Sequence, residues 1–181
     1  EFTLLVPMPC ERVTAELVLR DNTGKESRLK HTLDPNDVLI HDRSKSEPLP
    51  HRYLHRGGDS KEVIDVVILA EGYTAEEMAL FIEDAQIATD EILSYEPFKS
   101  HKDKFNFIAV ESISKDTNVS VPQAKAWRET AVGSNFMTFY MERYLTSGNV
   151  YAMYDLATNI PCEHLIILAN TDTYGGGGIY N

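Results

Sequence analysis

The spacing of apolar positions changes three times along the chain, and each change predicts a different kind of element. From Val13 to Arg20 it alternates, with Val13, Ala15, Leu17 and Leu19 on one side and Thr14, Glu16 and Arg20 on the other, the two-residue period of a half-covered strand. Asp21-Asn22-Thr23-Gly24 is a turn, and Ser27 to Leu33 reads as the returning strand of a hairpin. Phe2 to Val6 and Val38 to Ile40 read as further short strands, which together predict part of a β-sandwich with partner strands upstream. From Ile64 to Ala70 the alternation disappears. Ile64-Asp65-Val66-Val67-Ile68-Leu69-Ala70 is a β-branched, near-continuous apolar run, the mark of a strand covered on both faces. Glu71-Gly72-Tyr73 turns the chain, and Thr74 with Glu77 three residues later makes a capping box. Met78, Phe81, Ala85, Ala88 and Ile92 then recur every three or four residues, one stripe of an α-helix, with Glu76, Glu83, Asp84, Asp90 and Glu91 on the other face. Strand, tight turn and amphipathic helix are half of a βαβ unit.

Pro97 cannot continue that helix. Phe105 to Ile113 is the second strand of the unit, in parallel pairing across the helix. His164 to Asn170 is a third buried strand, and Asn149 to Thr158 a short helix stopped at Ile160-Pro161. Phe136 to Leu145 is rich in aromatics and fits a strand or a helix. His41 to Ser60 has no apolar period and carries Pro48, Pro50, Gly57 and Gly58, so it reads as a linker or long surface connection. Ser114 to Ser134 is a long polar loop, with Trp127 as its packing anchor. The expected fold class is α/β (α+β overall): a β-rich part over 1–55, then an α/β part over 56–181 with a mainly parallel sheet.

Composition narrows the function. The 181 residues carry 28 acidic against 17 basic side chains, a formal charge of −11; nucleic-acid binders need a basic surface. No apolar run approaches the roughly 20 residues of a membrane span. The chain opens Glu1-Phe2-Thr3-Leu4-Leu5-Val6, with neither a basic start nor an initiating Met, and is expected to be a segment whose targeting signal has been removed. Cys10 and Cys162 are too few for a disulfide scaffold. They are expected as buried thiols, with a bridge between them left open. Of the six histidines, the three in the linker (His41, His51, His55) have no acidic or thiol partner at ligand spacing and read as exposed loop residues, and His164, at the mouth of a strand, reads as a capping or hydrogen-bonding residue.

The search for catalytic patterns finds none. There is no Gly-x-Ser-x-Gly elbow, no His-Glu-x-x-His motif and no Gly-Lys-Ser/Thr phosphate loop. What stands out is Thr171-Asp172-Thr173-Tyr174-Gly175-Gly176-Gly177-Gly178-Ile179-Tyr180-Asn181. Four successive glycines either form a mobile tail or let a backbone approach a ligand, as a sheet-edge segment accepting an extended peptide.

Several stretches, in order, resemble the IgA-peptidase family of bacterial zinc metalloendopeptidases: Asp65–Thr74, Tyr95–Ser100, Lys104–Asn106, Asn118–Pro122, Arg143–Leu145 and Tyr174–Asn181. The Glu-Gly-Tyr-Thr turn and the Tyr-Gly-Gly-Gly-Gly-Ile segment are the specific ones. The resemblance implies that 56–181 is the first part of a zincin-like catalytic domain and 1–55 the end of a β-rich domain before it. It implies a secreted or otherwise extracytoplasmic parent that hydrolyses peptide bonds in protein substrates with zinc. In that family the zinc-binding helix follows the glycine segment, so the resemblance gives no catalytic residue and no metal ligand here and implies an inactive chain when taken alone. It does imply a Gly-rich edge strand with Tyr174, Gly175, Gly176, Gly177, Gly178 and Ile179 as substrate-binding residues. The alternative is a non-catalytic protein- or glycan-binding module on the same scaffold.

Overall fold

A computed structural model of the chain describes residues 6–40 and 42–178. Two compact units divide the chain, one up to Arg43 and one from Ser44 onward. In the first, β1 (Val13–Arg20) and β2 (Glu26–Leu33) form the expected hairpin, in register from Val13 opposite Leu33 to Arg20 opposite Glu26. The Asp21 carboxylate fixes the turn by accepting the Thr23 N–H at 2.8 Å and the Lys25 N–H at 3.0 Å. The expected sandwich is not built from the described residues, which hold two strands here. Val38 to Ile40 is turn, because the Asp34 and Asp37 carboxylates accept the N–H groups of Asn36 and Leu39, two residues on, and so compete with extended backbone. The strand expected over Phe2 to Val6 falls, except for Val6, outside the described residues.

The second unit is a four-stranded mixed sheet in the order β3-β5-β4-β6. β4 (Ile64–Glu71) is its centre, pairing in parallel with β5 (Phe105–Val110) and with β6 (His164–Ala169). The lack of alternation in β4 has the expected cause: both its faces are covered. Val66, Ile68 and Ala70 join Phe107, Ala109 and the helix α1 (Met78–Ile92) in one core, while Val67, Leu69, Ile108 and Val110 join Val132, Ala157 and Ile160 in the other. Each buried Val, Ile or Leu side chain among these stabilises the fold by about 1.5–3 kcal/mol.

Several details differ from the reading of the sequence. The linker over 41–60 contains a strand, β3 (His51–Arg56), antiparallel to β5 with a bulge between Tyr53 and His55. Its polar composition suits an edge strand that needs only Leu54 against the core. On α1 the buried stripe runs Met78, Phe81, Ala85, Thr89, with Thr89 in place of Ala88; the Thr89 hydroxyl donates to the Ala85 carbonyl at 2.8 Å, so its burial leaves no unpaired donor. β6 is half-buried rather than fully buried, since it ends the sheet. Phe136 to Leu145 is irregular apart from a tight turn at Thr138–Tyr140 and a second turn closed by the Tyr144 N–H on the Met141 carbonyl. Both cysteines are free, with Cys10 exposed rather than buried; burial pushes the half-buried Cys162 thiol up to about 11, helped by the Glu163 and Asp65 carboxylates. α2 (Val150–Leu156) is capped by the Asn149 side chain, which accepts the Ala152 N–H at 3.2 Å.

Candidate functional site

The loops that leave the C-terminal ends of β5 and β6 are fastened to the turn after β4. Glu71 closes β4 fully buried, and its carboxylate accepts the Thr130 hydroxyl at 2.6 Å, the Val132 N–H at 2.9 Å and the Ser134 N–H at 2.7 Å. A buried carboxylate without three such donors would be costly; here it holds the 130–134 segment on the sheet. Gly72 follows with φ +74°, where an added Cβ would stand 2.4 Å from the Asn118 carbonyl oxygen. Its N–H donates to the Ser114 hydroxyl at 2.9 Å, and its carbonyl accepts from the Asn118 N–H at 2.8 Å and the Asn170 side-chain amide at 3.0 Å. One glycine thus ties together the loops after β5 and β6, and only glycine fits there.

Further out, these loops surround an open groove of about 600 Å³, lined by Val121, Gln123 and Ala124 on one segment, Glu142 and Arg143 on a second, and Thr173 and Tyr174 on the third. In open α/β sheets, ligands bind at the carboxyl ends of the parallel strands, and the groove's walls are built from the loops that leave those ends.

The glycine run continues directly from the groove. Gly176 is bridged in parallel to Tyr144: its N–H donates to the Arg143 carbonyl at 3.0 Å and its carbonyl accepts the Leu145 N–H at 3.3 Å. The glycines alternate in what surrounds them. A Cβ on Gly175 would lie 2.5 Å from the Arg143 oxygen and 2.5 Å from Phe136 Cε1, and one on Gly177 would lie 2.6 Å from Thr146 Cγ2 and 2.7 Å from the Leu145 oxygen. Gly176 and Gly178 would meet nothing within 4 Å. Gly175 and Gly177 are therefore required by close packing, while Gly176 and Gly178 leave a strip of backbone bare of side chains and open to solvent. The run does not pair with the main sheet as an edge strand in the described residues; its partner is the 143–145 segment, because β6 turns away at Asn170, held by the Glu71 carbonyl at 2.8 Å.

Of the expected site residues, Tyr174 lines the groove, Gly175 to Gly178 form the adjoining strip, and Ile179 lies outside the described residues. Val121, Gln123, Ala124, Glu142 and Arg143 were not foreseen as groove residues, although Asn118–Pro122 and Arg143–Leu145 already stood out as stretches. Trp127 does not anchor its loop by packing; its side chain is exposed. Of the linker histidines, His51 Nδ1 lies 2.8 Å from the Leu49 carbonyl and His55 Nε2 2.9 Å from the Lys102 carbonyl, while His41 lies outside the described residues. Among the described residues, no three His, Cys, Asp or Glu side chains gather in a set that could hold a metal ion.

No curated protein matches the sequence. The sequence profile of IgA Peptidase M64 matches residues 53–181, from inside β3 through the glycine run. That span takes in every wall of the groove and leaves out the hairpin unit. A mixed sheet with a buried parallel centre, a glycine-tied turn at its carboxyl edge and a groove bordered by bare backbone thus all fall within a single peptidase family's profile, and the chain belongs to the IgA Peptidase M64 family.

Proposed function

We propose that this chain forms the substrate-binding side of the catalytic domain of a secreted, extracytoplasmic zinc metalloendopeptidase, in which Tyr174, Gly175 to Gly178 and Ile179 flank an extended polypeptide. The observation that carries the reading is the alternation in the glycine run: Gly175 and Gly177 lock against the 136–146 loop, which holds Gly176 and Gly178 open to solvent beside the groove. Gly176 commits its N–H and carbonyl to the 143–145 segment, while those of Gly175 and Gly177 have no backbone partner among the described residues; with no side chain at Gly176 or Gly178 a second backbone can reach them, and strand addition then gives affinity without dependence on sequence. The described residues do not fit zinc, since they gather no ligand set. The role assigned to them is to bind and orient the peptide, and the isolated chain is expected to hydrolyse nothing.

The test uses a valine at Gly178, where a branched Cβ would stand in open space. Fluorescence polarisation with a labelled, acetylated and amidated extended peptide is expected to show saturable binding to the 181-residue chain. Gly178→Val is expected to weaken it at least about tenfold with an unchanged melting temperature. Equal binding by both proteins would remove the strip from the substrate path. A zinc-independent, chelator-insensitive binding activity in every form of the protein, with no hydrolysis, would favour the non-catalytic binding module instead.

A further inference from the structure

The groove also carries charges that a purely backbone-directed strip does not use. In this acidic chain, four arginines are held by carboxylates: Arg12 by Asp34, Arg20 by Glu26, Arg28 by Glu16 and Glu26, and Arg52 by Glu111. Arg143 lines the groove and holds no carboxylate among the described residues. Its guanidinium instead lies 5.6 Å from the centre of the Tyr144 ring, a placement that orients the planar group without neutralising it.

The backbone beneath that side chain is fixed. The Arg143 carbonyl accepts the Gly176 N–H at 3.0 Å, the Tyr144 N–H donates to the Met141 carbonyl at 3.0 Å, and Gly175 is pressed against the Arg143 oxygen so closely that no Cβ fits. Arg143 therefore stands one residue from the bare strip, on a segment that the strip itself holds in place. Val121, Ala124 and Tyr174 give the same groove apolar surface suited to the methylene groups of an acidic side chain. Glu142, on the same wall, has no cationic partner among the described residues; its charge works against an occupant with several acidic groups in succession.

We infer that Arg143 is a specificity-determining residue: its guanidinium takes the carboxylate of a single Asp or Glu side chain in a polypeptide lying along Gly176 and Gly178, and Glu142 selects against acidic runs. The inference rests on the peptide-binding reading of the strip and adds the chemical class of side chain the groove accepts. Arginine meets a carboxylate with two parallel hydrogen bonds, which a glutamine on the ligand cannot match in charge.

The experiment uses the full 181-residue chain and three labelled, acetylated and amidated peptides of one alanine- and serine-based sequence, with Glu, Gln or Lys at the central position. The Glu peptide is expected to bind about tenfold more tightly than the Gln peptide at low salt, with the advantage shrinking as salt is added. In Arg143→Gln, the ratio of the Glu to the Gln peptide's affinity falls to about one and the melting temperature is unchanged. A second Glu beside the first weakens binding in the unaltered protein and not in Glu142→Gln. If the unaltered protein binds Glu and Gln peptides equally, or Arg143→Gln still discriminates between them, the role of Arg143 is overturned and the bare strip stands. If none of the three peptides binds, the strip reading falls and this inference falls with it.

Discussion

The finest distinctions in this molecule are between neighbouring glycines of identical chemistry. Gly175 and Gly178 differ only in what surrounds the position a Cβ would take: a carbonyl oxygen and an aromatic carbon at 2.5 Å for the first, nothing within 4 Å for the second. Overpacking of this kind costs about 1–3 kcal/mol. Because the glycine run is held mainly by its bridge to the 143–145 segment, the cost falls on that attachment rather than on the sheet. Gly175→Ala is therefore expected to speed hydrogen exchange at the Gly176 and Leu145 N–H groups by at least about tenfold, with Gly178→Ala leaving both within about twofold. Nothing in the string Gly175-Gly176-Gly177-Gly178 distinguishes these positions. The sequence shows that a backbone must come close to something; which glycines face protein and which face solvent depends on the 136–146 loop, whose irregular path has no periodicity to read. The same gap hid Arg143 and Glu142, which reach the groove only because that loop folds back against the glycines.

Elements with a repeating pattern were legible, and those set by context were not. β4, α1 and the hairpin of β1 and β2 each carry a period or a cap that forces one reading, whereas β3 has no apolar repeat and exists because β5 offers it an edge. α1 also shows how a cap couples to pH. The Glu77 carboxylate accepts the Thr74 N–H at 2.8 Å and the Thr117 hydroxyl at 2.8 Å. The Thr74 amide foremost, then the Thr117 hydroxyl, outweigh partial desolvation and hold this carboxyl below the usual glutamate range. A lowered folded-state pKa gives stability that is present above the unfolded-state value, about 4.3, and is lost as pH falls through the folded-state value. Glu77→Gln keeps an acceptor oxygen and loses the charge. Its melting temperature should fall below that of the unaltered protein at pH 7, and the gap should close as pH drops from about 5 towards 3. A gap independent of pH would mean that the cap acts through shape alone.

At the scale of the whole chain, the two units make unequal claims on stability. Both apolar cores draw only on residues from Leu49 onward, and the family profile likewise begins at residue 53. The hairpin buries little, with Val13, Val18, Leu19 and Leu29 all exposed, and a two-stranded hairpin alone is marginal in water. A chain starting at Ser44 is therefore expected to unfold in urea with a stability within about 1 kcal/mol of the full chain, while a peptide of residues 6–43 shows no cooperative transition. A large loss on removing the hairpin would mean that the sheet depends on it. The α/β class was visible in the changes of apolar spacing, and the parallel pairing of β4 with β5 and β6 has the buried pattern that spacing predicts. Asp34 and Asp37 turn the chain where the sequence Val-Leu-Ile suggests extension, so the β1–β2 hairpin is the part of the expected β-rich region that the described residues hold.

β6 ends the sheet with His164-Leu165-Ile166-Ile167-Leu168-Ala169, five of the six aliphatic and none of them fully covered. Natural sheets usually shield such a border with lysine, proline or a bulge; this border has none of these. Its outward amides and carbonyls are a template for self-association in concentrated solution, so clumping should begin here sooner than at the bulged, charged opposite margin formed by β3.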